Sequence, residues 1–232
     1  MALAKEHDYV DGESPAHPLP VIRFDSGFDV LSKLPLFTGQ AVKDEPMIFS
    51  GDYAFSWEHG GPITRAFLEL LPDKNCVIDS RTHMLMPGWY PCIPGWHLDD
   101  VPRTRPDGQP DHLHPAYRAY NIMAIVGDAS VTEFISGELD LEDIGFYEGA
   151  VYGKWNAEIN RRLAEPDCKI ALRKVPESTL IYMPFGAFHR GTPATKNGWR
   201  FFIRANFNTA RKPSNEIRTQ VQVYLPVPEA GW

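Results

Sequence analysis

Cysteine is scarce in this 232-residue chain, and the three present (Cys76, Cys92 and Cys168) are odd in number, far apart and never in a CxxC pair. That excludes a disulfide framework and a zinc ribbon, and it points to free thiols in a reducing, cytoplasmic setting. Long apolar runs are missing as well. None approaches the ~18 residues of a membrane span, and the first twenty residues carry acidic side chains where a secretory leader needs an apolar core. Positive charge is in deficit: 23 Lys and Arg stand against 30 Asp and Glu, a net charge of −7. That balance argues against a coat that binds nucleic acid by neutralising phosphates, though not against a local basic pocket. The nucleophile elbow GxSxG, the P-loop and the dinucleotide fingerprint are all absent.

What the chain does have is punctuation. Twenty-one prolines and 18 glycines break a sequence that is 43% hydrophobic and 12% aromatic, a pattern of short strands rather than of a helical bundle. Strand-like runs occupy Met47–Ser50, Cys76–Met86, Arg118–Val126, Val131–Ile135, Lys169–Val175, Thr179–Met183, Trp199–Phe207 and Thr219–Leu225. A helix is expected over Pro62–Leu71, with Ile63, Ala66, Phe67, Leu70 and Leu71 on one face and Pro72 ending it. A second, more broken helical stretch lies near 142–165. Residues 1–20, with three prolines and several charges, read as a loose arm, and 21–232 as one domain. Regular strand–helix alternation is absent, so the expected architecture is mainly β with flanking helices, a two-sheet barrel or sandwich.

Chemistry concentrates in two places. The stiff Pro/Gly-rich stretch Pro87–Asp100 delivers His97 and Asp99 two positions apart. In extended backbone they face the same side, with Cα atoms roughly 6.6 Å apart, so that an imidazole nitrogen and a carboxylate oxygen can converge on one metal at about 2.1 Å each. Some ninety residues on, a strand ends at Met183, a Pro/Gly turn follows, and His189 sits just beyond. The run Trp199–Arg204 then alternates, with Arg200, Phe202 and Arg204 on one face and Trp199, Phe201 and Ile203 on the other. Two arginines on one strand face fit a carboxylate-bearing ligand better than a plain core, since a buried guanidinium needs an anion to match its fork. An exposed edge strand is the rival explanation.

His97-x-Asp99, a distal His189 and Arg200 eleven residues later resemble the Fe(II)/2-oxoglutarate-dependent dioxygenases over about residues 76–207. The Pro/Gly-rich approach to His97 and the sequence Phe188-His189-Arg190-Gly191 are similar to that superfamily too, phytanoyl-type members included. The resemblance implies a double-stranded β-helix (a jelly roll, or cupin-like barrel). It implies His97, Asp99 and His189 as ligands of ferrous iron, with three coordination positions left open. Arg200 matches the arginine that clamps the distal carboxylate of the co-substrate 2-oxoglutarate. The implied reaction couples O2 and 2-oxoglutarate, released as succinate and CO2, to oxidation of a small molecule, usually its hydroxylation.

Several further residues are placed beside the site. Arg204 could support the same carboxylate or bind an anionic substrate. Trp96, Tyr90 and His83 are substrate-side candidates, with core packing and a structural histidine as the bland alternatives. Trp89 and Phe188 could line the pocket but fit the core better. Asp100 adjoins Asp99 but should point away, His112 and His114 fit a solvated loop, and the polar, Pro-rich stretch Asp100–Pro115 reads as a substrate lid, with Tyr117 and Asn121 just behind it. Two other readings use the same barrel: a cupin-type metalloenzyme independent of 2-oxoglutarate, and a non-catalytic cupin-like module that binds a ligand or protein.

Overall fold

Period-two alternation sorts most of the chain into two antiparallel sheets in a computed structural model that describes residues 23–106, 108, 110–111, 114, 119–141 and 151–225. The larger sheet runs, in spatial order, β2 (Asp29–Lys33), β8 (Thr179–Met183), β5 (Tyr120–Val126), β10 (Gly198–Phe207) and β4 (Val77–Leu85). In the smaller one, β6 (Thr132–Asp140) pairs with β1 (Arg23–Ser26), β7 (Ala171–Lys174) and the short β9 (His189–Gly191). A two-stranded ribbon joins β3 (Ile48–Phe49) to β11 (Glu216–Ile217). The described strands do not close into a barrel.

Each sheet is double-faced. On the outer face of the larger one, Phe201, Ile203 and Ala205 of β10 pack with Ile78, Ile122, Ala124 and Leu180. They meet Val42 of α1 (Gly39–Asp44) and Ile63, Phe67 and Leu68 of α3 (Pro62–Glu69). The short α2 (Tyr53–His59) precedes α3. The outer face of the smaller sheet, through Ile135 and Leu139, meets Val151, Trp155 and Ile159 of α4 (Val151–Leu163). Between the sheets lie Met123, Ile125, Phe134, Ile181 and Met183 at one end and polar side chains at the other. The result is a layered β structure with helices outside, as the composition led one to expect.

Most expected strands form within a few residues of their anticipated bounds, and the helix over 62–71 is α3. Pro62 opens it, and the Glu45 carboxylate accepts the Ile63 and Thr64 backbone N–H groups at 3.1 and 2.8 Å. Gly61 makes that approach possible, because a Cβ there would stand 2.5 Å from Glu45 Oε2. One strand does not form: across Thr219–Leu225 only Tyr224 bridges, to Tyr90. The segment instead passes along the edge of the larger sheet, with Gln222 accepting from His83 and the nearby Arg218 bound to Asp79. Residues 1–20 and 142–150, with His112 and Tyr117, lie outside the described residues.

Candidate metal centre

Alternation also builds the site. Trp96 and Leu98 turn outward into the α4 core, so His97 and Asp99 turn inward. At the start of β9, Phe188 and Arg190 flank the ligand candidate His189 in the same way. Phe188 meets Trp155 edge-on at 5.4 Å, while Arg190 donates from Nε and Nη2 to Glu133 Oε2 (3.0 and 2.9 Å) and stacks over Trp96. The two segments are then fastened to each other by a reciprocal backbone pair, His97 N to His189 O and the reverse, both 3.1 Å. Gly191 lets the loop close in, since a Cβ there would come within 2.4 Å of Cys92 Sγ.

The three side chains converge: one ligand atom each from His97, Asp99 and His189 lies within 4.8 Å of the others. Both imidazoles are oriented alike, with Nδ1 of His97 2.8 Å from Gly95 O and Nδ1 of His189 3.0 Å from Ala187 O. A carbonyl only accepts, so each Nδ1 carries a proton and each Nε2 is turned toward Asp99, at 4.0 Å for His97 and 3.4 Å for His189. Burial pulls the His97 pKa down to about 4, aided by His189, so that ring is neutral at pH 7. Burial pushes the Asp99 carboxyl up, but Arg204 and the two histidines outweigh it and hold the group well below the usual carboxylate range. Two imidazoles with their Nε2 atoms turned inward and an ionised carboxylate on one small volume are a donor set that suits a divalent metal with open positions.

Arg204 is occupied by carboxylates rather than standing open to an anion. It is bonded to Asp99, and its Nη2 is 3.8 Å from Asp79 and 4.0 Å from Asp100. Asp79 is also bound by Arg218 and Arg81, and Asp100 by Arg211 at 3.4 Å. Asp100, in a left-handed conformation (φ 55°), stays outside the His/Asp/His group as anticipated. This network, Asp79 and Arg218 above all, was not read from the sequence. Its signal was there in β4, where Asp79, Arg81 and His83 put three polar residues on one strand face.

Arg200 is different. It is 2% exposed and donates to Ser130 O (3.2 Å) and Thr132 Oγ1 (3.1 Å), and among the described residues no carboxylate pairs with it. Burial lowers its pKa to about 10. It lines, with His83, Cys92, Thr132 and the three ligand candidates, a cavity of about 80 Å³. That cavity adjoins an open cleft of about 1010 Å³, whose walls include Arg103, His114, Tyr152, Asn156, Arg211 and Tyr224. The described part of the expected lid thus borders the cleft. Trp96 is wholly buried, with its indole N–H on Asn160 (3.1 Å), and reaches the cleft only from the core. Tyr90 lines neither space; it is half-buried and paired to Tyr224. The three cysteines are unbridged.

No family profile and no curated protein sequence matches the chain. Among solved structures it is similar to a nickel complex of the non-heme monooxygenase ThoJ (10% identity, TM-score 0.35, 78% of this chain and 73% of that one). It is also similar to apo ThoJ (10%, 0.38, 90% and 84%) and to iron-bound HygX from Streptomyces hygroscopicus (11%, 0.35, 78% and 82%). Likeness at this level is remote, and the chemistry has to be read from the side chains. No helix among the described residues is long and apolar enough to cross a membrane.

Proposed function

We propose that this protein is an Fe(II)- and 2-oxoglutarate-dependent oxygenase on a double-stranded β-helix scaffold, acting on a small molecule that enters by the open cleft. The observation that carries the reading is the pairing, in one cavity, of a two-histidine, one-carboxylate group with a buried arginine that has no carboxylate partner among the described residues. His97, Asp99 and His189 would hold the iron, which when bound supplies open positions for co-substrate and O2. The protein's own share is positional. The backbone pair between residues 97 and 189 fixes the imidazoles, their carbonyl partners fix the tautomer, and Arg204 fixes Asp99. Arg200 offers its charge to the distal carboxylate of 2-oxoglutarate, with Ser130 and Thr132 holding the guanidinium in place. The rim arginines Arg81, Arg103 and Arg211 favour a substrate with an anionic or strongly polar group.

An anaerobic titration with Fe(II) and then 2-oxoglutarate tests this, read by the visible charge-transfer band of the chelate. The parent protein should develop the band and His97→Ala should not. Arg200→Met should weaken 2-oxoglutarate binding by about 10- to 150-fold, the equivalent of a charge-assisted hydrogen bond of ~1.5–3 kcal/mol. Iron binding without the band would favour a cupin-type metalloenzyme that does not use 2-oxoglutarate. Folded protein that takes up no iron would favour a non-catalytic binding barrel.

A further inference from the structure

His83 stands directly opposite Arg200 across the β4–β10 pair, and both line the small cavity beside the three ligand candidates. Its ring is 1% exposed. Nε2 lies 3.2 Å from the Gln222 carbonyl oxygen, which can only accept, so Nε2 carries the proton and the neutral ring leaves Nδ1 as a bare acceptor. Nδ1 has no hydrogen-bond partner among the described residues. The cavity therefore holds two unmet demands side by side, an anion for Arg200 and a partner for Nδ1, and buried polar groups are rarely left in that state. A carboxylate satisfies Arg200 but has no proton to offer a bare nitrogen. Both demands are met at once if the ring gains a proton, because Nδ1–H then donates to the carboxylate while Nε2–H stays on Gln222.

We propose that His83 takes up one proton from solvent as the distal carboxylate of 2-oxoglutarate docks on Arg200, so that co-substrate binding is coupled to protonation of a second residue at the carboxylate. This rests on the reading of Arg200 given above. Three arginines act on the ring, Arg200 across the pair, Arg81 two residues along β4 and Arg218 from the segment after β11, the last two already paired with Asp79, while the Asp99 carboxylate lines the same cavity bound to Arg204. Burial first, and then these arginines, draw the pKa of the free ring down to about 4, so it is neutral at physiological pH. An arriving carboxylate offsets Arg200 and reverses the balance. The ligand is fully ionised near neutral pH, so the proton comes from the buffer.

Calorimetric titration of the anaerobic Fe(II) protein with 2-oxoglutarate, between about pH 6 and about pH 8 in buffers of differing ionisation enthalpy, counts that proton. Close to one proton should be taken up at the acidic end. Between the pKa of the free ring and that of the complex the affinity should then fall by up to about tenfold per unit rise in pH, and level off above the latter. His83→Gln keeps a donor for the Gln222 carbonyl and should bind with no proton uptake and a flat pH profile, with iron stoichiometry retained. Binding by the parent without proton uptake overturns the proposal, as does undiminished uptake in His83→Gln. The proton count on the parent protein alone decides the matter should the variant not fold. Failure of the parent to bind 2-oxoglutarate at all overturns the reading of Arg200 as well, which separates the two.

Discussion

At the scale of single residues, the site is a balance of buried charges. Asp99 supplies the carboxylate of the donor group and is neutralised by Arg204, which also answers Asp79 and Asp100. Asp99→Ala should lower Fe(II) or Co(II) affinity by at least about 100-fold in equilibrium dialysis, since two imidazoles remain to hold the ion. The two arginines that meet Asp100 should behave unlike each other. Arg204→Met strands buried carboxylates and should cost about 3–5 kcal/mol in urea unfolding. Arg211→Gln removes a side chain that is 51% exposed and should change stability by less than about 1 kcal/mol.

At the scale of elements, short strands and loops hold the ligand candidates while helices supply the bracing. His189 lies on a three-residue strand, yet it is pinned on one side by β6 and on the other by residue 97. Further from the site, α3 is braced from a distance, because no side chain of its own caps it and Glu45 does so across the fold. Glu45→Ala should therefore lower stability by about 1–2 kcal/mol in urea unfolding, the scale of a lost N-cap. Glu45→Gln, which keeps an acceptor oxygen, should recover part of that loss.

At the scale of the whole molecule, two sheets bring together cationic side chains that an acidic chain otherwise dilutes. His83 reports this. Its ring titrates near 6.5 when unfolded and at about 4 in the folded protein, chiefly because of burial and then of Arg200. Between those values the unfolded chain binds more protons. The stability His83 contributes is thus fully present above about pH 6.5 and lost as pH falls through about 4. Urea midpoints followed across that window should fall less steeply in His83→Gln than in the parent protein.

Local pattern by itself determined a good deal here. Alternation put Arg200, Phe202 and Arg204 on one face of β10, and the apolar residues opposite them on the core side. Spacing put His97 with Asp99, and Pro62 marked the start of a helix. These are short-range properties, set by backbone geometry within a few residues. The tertiary structure decided what each polar residue answers to. It closed the ninety-residue gap between His97 and His189 through a reciprocal backbone pair, turned Arg204 from an open anion site into the counter-ion of three carboxylates, and left Arg200 with none among the described residues. It also laid the segment expected as a strand over Thr219–Leu225 along the edge of the larger sheet, where Gln222 sets the tautomer of His83. Such pairings join residues far apart in the chain, and a charge finds its partner only when folding removes the water that would otherwise have served both.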